Sequence, residues 1–296
     1  MKSDMKNHKV NFLIIGAQKA GTTSLFNYLK QHPDIYFSEV KEVTYFVFDH
    51  LYNKGEKYYH SFFPNYKNQK AIGSAYVHML PCAKCPQRVF AYNPAMKFVV
   101  ILRNPIDRAY SSYYYALKNS WEKPEISFSD AFQIEKERIT AENYDLTYFY
   151  NGLYHQHLSN WIKYFPRENF LILTQQELKS GTDKTMTKIF NFLGVENMLV
   201  DTNKKYNVAS DVHSKSLQKL MLDKENKLVR MLGNIIPQKT KVFIRSKVFP
   251  LVYRANVKEN EEPVKPLDEK TRKTLSAYFE NDLALLKKDF GITYLL

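Results

Sequence analysis

The chain has 296 residues, which is compatible with one large domain or two smaller ones. Hydrophobic residues make up 44% of it and aromatic residues 15%, enough for a large core, and this excludes disordered, collagen-like and disulfide-scaffold classes. The 43 Lys and Arg residues exceed the 30 Asp and Glu residues by 13, which favours an anionic partner such as a nucleotide, a nucleic acid, an acidic glycan or a membrane surface.

The N-terminus is basic, and an apolar run over residues 10–17 follows it. Asn11 and Gly16 interrupt this run, which is too short to span a bilayer or to form the core of a signal peptide. Cys82 and Cys85, the two cysteines, are too few for a disulfide framework and agree with a reducing compartment. We therefore expect a cytoplasmic protein.

Apolar runs alternate with helical patterns three times along the chain. Strands alternating with helices predict an α/β fold with a central parallel sheet and helices on both faces. Gly194 is a stop signal for the last of the three helices. The predicted strand and helix of each unit are 11–15 and 24–30, 96–102 and 106–119, and 170–174 and 182–193.

Two further helical patterns cover residues 151–165 and 268–290, and Pro166 directly follows the first of them. The stretch 257–266 is polar and acidic and contains two prolines, which predicts a surface linker. Residues 228–254 mix apolar and basic side chains, and we interpret them as a basic solvated face with an apolar underside. A flap over an acidic acceptor and a helix on a membrane surface are the alternatives.

The sharpest local feature is the loop GAQKAGTTS at residues 16–24, between a predicted strand and a predicted helix. Such a loop can point backbone N–H groups and a helix N-terminus at a phosphate. Gly16 and Gly21 have the Walker A spacing, but Thr22 stands where that loop has its lysine, and a lysine occurs earlier, at Lys19. A lysine in mid-loop suits a single phosphate and the oxygen that bridges it to a leaving group. A plain strand-to-helix turn is the alternative.

A second anion site is predicted from Arg103 and Ser111. Arg103 lies at the carboxyl end of a predicted strand, where open α/β sheets bind ligands, and Ser111 lies about two turns into the next helix. A guanidinium and a hydroxyl together suit a second phosphate. An ordinary ion pair or helix cap at Arg103 is the alternative.

The sequences GAQKAGTTSL and VVILRNPIDRAYSSYY resemble the two cofactor-binding signatures of sulfotransferases that use 3′-phosphoadenosine 5′-phosphosulfate (PAPS). HPDI, KEVTYF, YYHSFFP, NGLYHQHLSNWIKYFP and FNFLGV follow in an order similar to the heparan-sulfate and bacterial carbohydrate branch. The resemblance covers residues 11–195. It implies a P-loop-like three-layer fold in a single domain over residues 1–296, with residues 196–296 as a more weakly matching C-terminal helical extension.

The resemblance also implies roles for individual residues. Lys41 and Glu42 occupy the family's Lys-Glu position, where the glutamate is the base that takes the proton of the acceptor hydroxyl. We expect Lys19 to stabilise the bridging oxygen and Lys41 the oxygens of the transferred sulfuryl group, and we expect no metal requirement. The 3′-phosphate would be bound by Arg103 and Ser111, and the 5′-phosphosulfate side by Gln18, Lys19, Ala20, Gly21, Thr22, Thr23 and Ser24.

Residues 72–78 depart from the family, because they lack the Glu or Lys that often follows the glycine of this strand. His78 could supply a proton-accepting group there, as a histidine does in the small-molecule branch. A structural histidine is the alternative. If His78 is the base, the role assigned to Glu42 moves to it.

The CxxC sequence at Cys82 and Cys85 has no second cysteine pair for a structural zinc site and no evident thioredoxin-like unit for redox chemistry. Pro81 and Pro86 flank it and predict a loop. We therefore interpret the two cysteines as structural or incidental thiols.

These observations together predict transfer of the sulfuryl group from PAPS to an acceptor hydroxyl, in a glycan. A sterol or lipid hydroxyl is the alternative acceptor, because aromatic side chains over 45–48 and 58–63 could line an apolar pocket. A P-loop kinase would need a lysine beside Thr22, and no recognised motif supports a nucleic-acid-binding module. Peripheral contact with a membrane and the oligomeric state stay open.

Overall fold

A computed structural model of the chain describes residues 8–202 and 266–294, together with a few isolated positions between 240 and 255. The strands in this part of the chain are β1 (Phe12–Gly16), β2 (Ile35–Glu42), β3 (Ala71–Ala75), β4 (Lys97–Leu102) and β5 (Phe170–Thr174). They form one five-stranded sheet in the order β2-β3-β1-β4-β5, and every pairing is parallel.

The helices connect these strands and extend the fold after the last of them. Short 3-10 turns occupy Tyr150–Gly152 and Arg167–Asn169. The α-helices in the described ranges are α1 (Thr22–Leu29), α2 (Asp49–Tyr52), α3 (Glu56–His60), α4 (Cys85–Tyr92), α5 (Pro105–Lys118), α6 (Phe128–Gln133), α7 (Glu135–Thr140), α8 (Tyr154–Trp161), α9 (Gln175–Ser180), α10 (Thr182–Leu193) and α11 (Glu269–Phe290).

The three central strands are buried on both faces. Every residue of β1 and β3 is buried, and in β4 only Lys97 is partly exposed. A strand covered on both sides shows a continuous apolar run instead of an alternating one, as in FLIIG and FVVIL. The predicted α/β fold with a covered parallel sheet is confirmed, and so are the three strand–helix units.

The strand order determines which loops meet. β1 pairs with β3 on one side and with β4 on the other, and β2 lies beyond β3. Because all strands are parallel, the segments that follow β1, β2, β3 and β4 leave the sheet at one edge, where open α/β sheets bind ligands. The loop after Gly16 therefore lies at the same edge of the sheet as the Lys41–Glu42 pair, the segment around His78, and Arg103.

The prediction of one helix over residues 151–165 was wrong at both ends. A 3-10 turn precedes α8, and Leu153 between them has a non-helical backbone, with φ −79° and ψ 71°. At the other end α8 stops at Trp161, and a turn leads to Pro166, which disfavours helical geometry in the residue before it. The helix patterns predicted over 182–193 and 268–290 are confirmed, with Asp268 as the N-cap of α11.

The C-terminal helix α11 packs against α5 and α8 and determines where α8 begins. The carboxylate of Asp282 is buried and accepts the backbone N–H groups of His155 and Gln156, each at 3.0 Å. These are donors of the first helical turn, which have no partner within the helix.

Two predictions lie mostly outside the described residues. The predicted linker over 257–266 is described only at its last position, and the predicted basic face over 228–254 only at a few isolated positions.

Replacing Asp282 with Ala should lower the free energy of unfolding by roughly 1 to 3 kcal/mol, because two N–H groups in the first turn of α8 lose a buried, charged acceptor. Chemical denaturation measures this change. Asp289→Ala is the matched control on the same helix, since Asp289 is 44% exposed and bonds only the His155 ring, at 2.8 Å, among its described contacts. An exposed pair of this kind contributes about 0.5 kcal/mol. Equal losses in the two variants would contradict the capping role.

Candidate active site

The loop between β1 and α1 has an unusual backbone. Gly21 has φ +107° and Lys19 has φ +64°, and left-handed geometry at a non-glycine residue is concentrated at functional sites. Backbone hydrogen bonds secure the loop, from Ala17 N to the Ile101 carbonyl of β4 at 2.7 Å and from Ala20 N to the Ala17 carbonyl at 3.2 Å. The N-terminus of α1 follows at once and has no acidic residue in its first turn, so the positive end of the helix is available to an anion.

Lys19 lies among other cations. Its Nζ is 4.3 Å from the ring centroid of Tyr115 on α5. Burial, and after it the charges of Arg103, Lys118 and Lys41, lower the pKa of Lys19 to about 8. Each of these causes disfavours the protonated amine, and a bound anion would reverse their effect. The arrangement therefore suits a phosphate ester or a comparable anion.

The Lys-Glu pair at the end of β2 is joined directly to this loop. Lys41 Nζ donates to Thr23 Oγ1 at 2.9 Å and lies 2.8 Å from Glu42 Oε1, while Glu42 Oε2 accepts the backbone N–H of Val77 at 3.4 Å. The Glu42 side chain remains 39% exposed. One ammonium thus connects the first turn of α1 to an accessible carboxylate.

His78 has a partner that the sequence did not suggest. Its Nε2 is 3.0 Å from Oδ1 of Asp145, its side chain is 2% exposed, and its buried Nδ1 has no hydrogen-bond partner among the residues that the structure describes. Val77 adjoins His78 and bonds Glu42, so the two candidate bases belong to neighbouring positions. Because Asp145 is 67 positions away in an irregular segment, no local pattern connects it to His78.

The segment that carries Asp145 is secured by buried charged side chains. The Arg138 guanidinium donates to the carbonyl of Leu146 at 3.0 Å, and a buried Arg108 donates to the carbonyl of Tyr148. The Arg138 guanidinium also pairs with Glu122 at 2.8 Å. These bonds give a segment without regular structure a defined path past His78.

The predicted 3′-phosphate residues lie directly after β4, in the case of Arg103, and on α5, in the case of Ser111. The hydroxyl of Tyr154 donates to the Arg103 carbonyl at 2.8 Å. Ser111 is half-buried on α5, and the next residue, Ser112, is buried and bonds the side-chain oxygen of Gln18. The side chain of Gln18 is therefore oriented through its oxygen atom.

A cleft of about 820 Å³ opens beside Arg103. It adjoins the phosphate loop, because Arg103 Nη1 and Gln175 Nε2 both donate to the carbonyl of Lys19, at 3.3 and 3.5 Å. The volume and the mixture of cationic and amide groups fit a nucleotide. The cleft is lined by Arg103, Asn104, Asp107, Gln175, Gln176, Lys179, Ser180, Thr293 and Tyr294.

Gln175 and Gln176 line this cleft and were not predicted from the sequence. Both lie in the first turn of α9, and Thr174 caps this helix in a capping box with Glu177. The Thr-x-x-Glu spacing directly after the strand FLILT is a helix-start signal and could have located this helix at the ligand edge.

The prediction of two thiols in a loop was wrong. Cys82 and Cys85 form a disulfide, and Cys85 is the first residue of α4. Pro86 does not prevent this, because proline is tolerated in the first turn of a helix, where its missing N–H has no partner to lose. Both sulfurs belong to fully buried residues, whereas a dithiol that exchanges with other proteins is accessible.

Over the described part of the chain, no group of three or more His, Cys, Asp or Glu side chains could hold a metal ion. Within residues 8–202 and 266–294, every helix is too short or too polar to span a bilayer.

Comparison with known proteins gives concordant results. A family model described as a sulfotransferase domain matches residues 9–249. Heparan sulfate glucosamine 3-O-sulfotransferase 6 of Homo sapiens is 28% identical over 198 residues, which cover 66% of this chain and 55% of that protein. Bifunctional heparan sulfate N-deacetylase/N-sulfotransferase 1 of Homo sapiens is 32% identical over 201 residues, covering 63% of this chain and 22% of that protein.

The fold is also similar to that of a solved structure, a sulfotransferase from Alicyclobacillus acidocaldarius. The TM-score is 0.69 at 24% sequence identity, and the match covers 97% of both chains. The chain spans about half the length, or less, of the curated relatives it matches.

Proposed function

Because the chain belongs to the sulfotransferase family, we propose that it transfers the sulfuryl group of PAPS to an acceptor hydroxyl, and that the acceptor is a glycan. The observation that carries this proposal is the bridge formed by Lys41 between Thr23 in the phosphate loop and the carboxylate of Glu42. It brings an anion site and an exposed base together at the ligand edge of the sheet.

The donor is proposed to bind along the edge formed by β1 and β4. Its 5′ end would meet the phosphate loop, residues 16–24, where helix N–H groups and Lys19 attract negative charge. Its 3′-phosphate would meet Arg103 and Ser111, and the nucleoside would occupy the cleft beside Gln175. A guanidinium recognises a phosphate through paired N–H donors, which suits Arg103 to this role.

Catalysis would consist mainly of positioning and charge stabilisation, as in phosphoryl transfer. The bond from the bridging oxygen to sulfur breaks as the acceptor oxygen bonds sulfur, and negative charge grows on the bridging oxygen. Lys19, which emerges from the loop, would neutralise that charge. Lys41 would neutralise the oxygens of the sulfuryl group while it holds the Glu42 carboxylate in place.

Glu42 is proposed to take the proton of the acceptor hydroxyl. Its carboxylate is accessible and is oriented by two partners, Lys41 and the backbone N–H of Val77. His78 is the other candidate. It is 2% exposed and paired with Asp145, so we assign it the secondary role of ordering the segment that holds Glu42.

A glycan acceptor is supported by two observations. Curated relatives that match the chain are named as heparan sulfate sulfotransferases. In addition, residues 226–258 contain eight Lys and Arg and no Asp or Glu, which suits an acidic polysaccharide. Transfer of labelled sulfate from PAPS to a panel of acidic glycans, neutral glycans, sterols and lipids tests this assignment. Label in sterols or lipids alone would replace the glycan with the alternative acceptor.

Donor identity is tested by thermal stabilisation with the desulfated product 3′-phosphoadenosine 5′-phosphate (PAP). At about 100 times its dissociation constant, PAP should raise the melting temperature by roughly 5 °C, because a ligand that binds only the folded state stabilises it. ATP with Mg²⁺ should have a much smaller effect, since Thr22 occupies the Walker lysine position. A larger shift with ATP and Mg²⁺ than with PAP would overturn the proposal in favour of a P-loop kinase.

A further inference from the structure

Lys19 is surrounded by positive charge before any donor binds. The cations that face it come from three elements, with Lys41 on β2, Arg103 after β4 and Lys118 on α5. Among the groups in the described part of the chain that shift the pKa of Lys19, none is a carboxylate. Repulsion from three cations would favour a Lys19 side chain that is turned away from the loop. An attractive interaction must therefore hold the ammonium where it is.

The opposing group in this structure is an aromatic ring. Lys19 Nζ lies 4.3 Å from the centroid of the Tyr115 ring, well inside the distance at which a ring face attracts an ammonium. Tyr115 lies in the last turns of α5, and its ring packs edge to face against Trp121 at 5.4 Å. A helix and a second ring thus fix the orientation of the Tyr115 face.

We propose that Tyr115 is a positioning residue for Lys19, and that its ring holds the charged ammonium at the phosphate loop until the donor arrives. The inference rests on the proposed function, in which Lys19 binds the donor and stabilises its leaving oxygen.

An aromatic ring has an advantage over a carboxylate in this position. A carboxylate would neutralise Lys19 and compete with the incoming phosphate for it, as ion pairs between fixed charges do. The quadrupole of a ring attracts the ammonium without a net charge, so the ammonium keeps its full charge for the donor. The contact also favours the protonated form, in opposition to burial and the neighbouring cations.

The test is the pH dependence of PAP affinity, measured by calorimetry between pH 7 and 9.5, where the phosphates of PAP are already ionised. In Tyr115→Leu the pH at which affinity begins to fall should move down by roughly 0.5 to 1 pH unit, because the ammonium loses the ring face. At pH 8.5 this corresponds to a loss of roughly 3- to 10-fold, whereas affinity at pH 7 should change little. Tyr115→Phe keeps the ring and should restore the wild-type profile.

A trifluorinated phenylalanine at position 115 provides a variant that preserves shape. It keeps the ring volume but removes the negative face, so it should behave like Tyr115→Leu and unlike Tyr115→Phe. Tyr114→Leu is the matched control on the same helix, since the Tyr114 ring contacts Tyr110 and Tyr113. It should leave the midpoint of the profile unchanged.

The outcomes separate the two proposals. If Lys19→Met abolishes the alkaline fall in PAP affinity but the trifluorinated variant keeps the wild-type midpoint, the role of Tyr115 is overturned and the role of Lys19 stands. A loss of affinity that is equal at every pH shows a purely structural effect and also overturns it. If Lys19→Met binds PAP with the wild-type profile, Lys19 does not bind the donor, and both assignments are overturned.

Discussion

Glu42→Gln is expected to lower turnover by roughly 10²- to 10⁴-fold and to leave PAP affinity within about twofold of wild type, because general-base assistance is lost while the donor site is intact. The amide still accepts a hydrogen bond from Val77 N and occupies the same volume as the carboxylate. Single-turnover transfer of labelled sulfate, together with calorimetric PAP binding, separates the two effects.

Glu39→Gln is the matched control for this variant. Glu39 lies on the same strand, and its carboxylate bonds Asn65 at 2.7 Å, away from the phosphate loop. Its turnover should equal that of wild type. If Glu42→Gln retained activity and His78→Ala lost it, the base would be His78, and Asp145 would become its orienting partner.

The second large effect is expected at Lys19. Lys19→Met should lower turnover by roughly 10²- to 10³-fold, the loss usual when one group that stabilises developing negative charge is removed. Lys30→Met is the control, since Lys30 is exposed at the end of α1, and it should leave turnover unchanged. Normal turnover in Lys19→Met would show that the leaving oxygen is neutralised by another residue.

The same substitution should also remove a pH dependence. In the free protein the pKa of Lys19 is lowered to about 8 by burial and by neighbouring cations, and a bound anion raises it. PAP affinity is therefore highest below pH 8 and falls as the pH rises through 8, since the neutral amine must then take up a proton when PAP binds. In Lys19→Met the profile above pH 8 should be flat.

Elements with strong local signals were predicted from the sequence. Strand β5 and helix α10 have the predicted bounds, because the apolar run FLIL ends at Thr174 and Gly194 adopts a left-handed backbone, with φ +76°, that ends the helix. Helix α8 begins later than predicted, because its first turn is capped by Asp282 of α11, more than a hundred residues later. Local periodicity contains no information about such a partner.

The sequence by itself determined which functional groups are available: a phosphate loop with Lys19 inside it, a Lys-Glu pair, an arginine at a strand end, and an excess of positive charge. These are properties of residue type and short spacing. Tertiary structure alone decided which groups touch. Lys41 meets Thr23 because parallel strands end at one edge, and Tyr115 meets Lys19 because β4 lies beside β1 and places α5 next to the loop. Contacts between distant positions arise from strand order, and strand order depends on how the whole sheet and its helices pack, which short residue patterns do not specify.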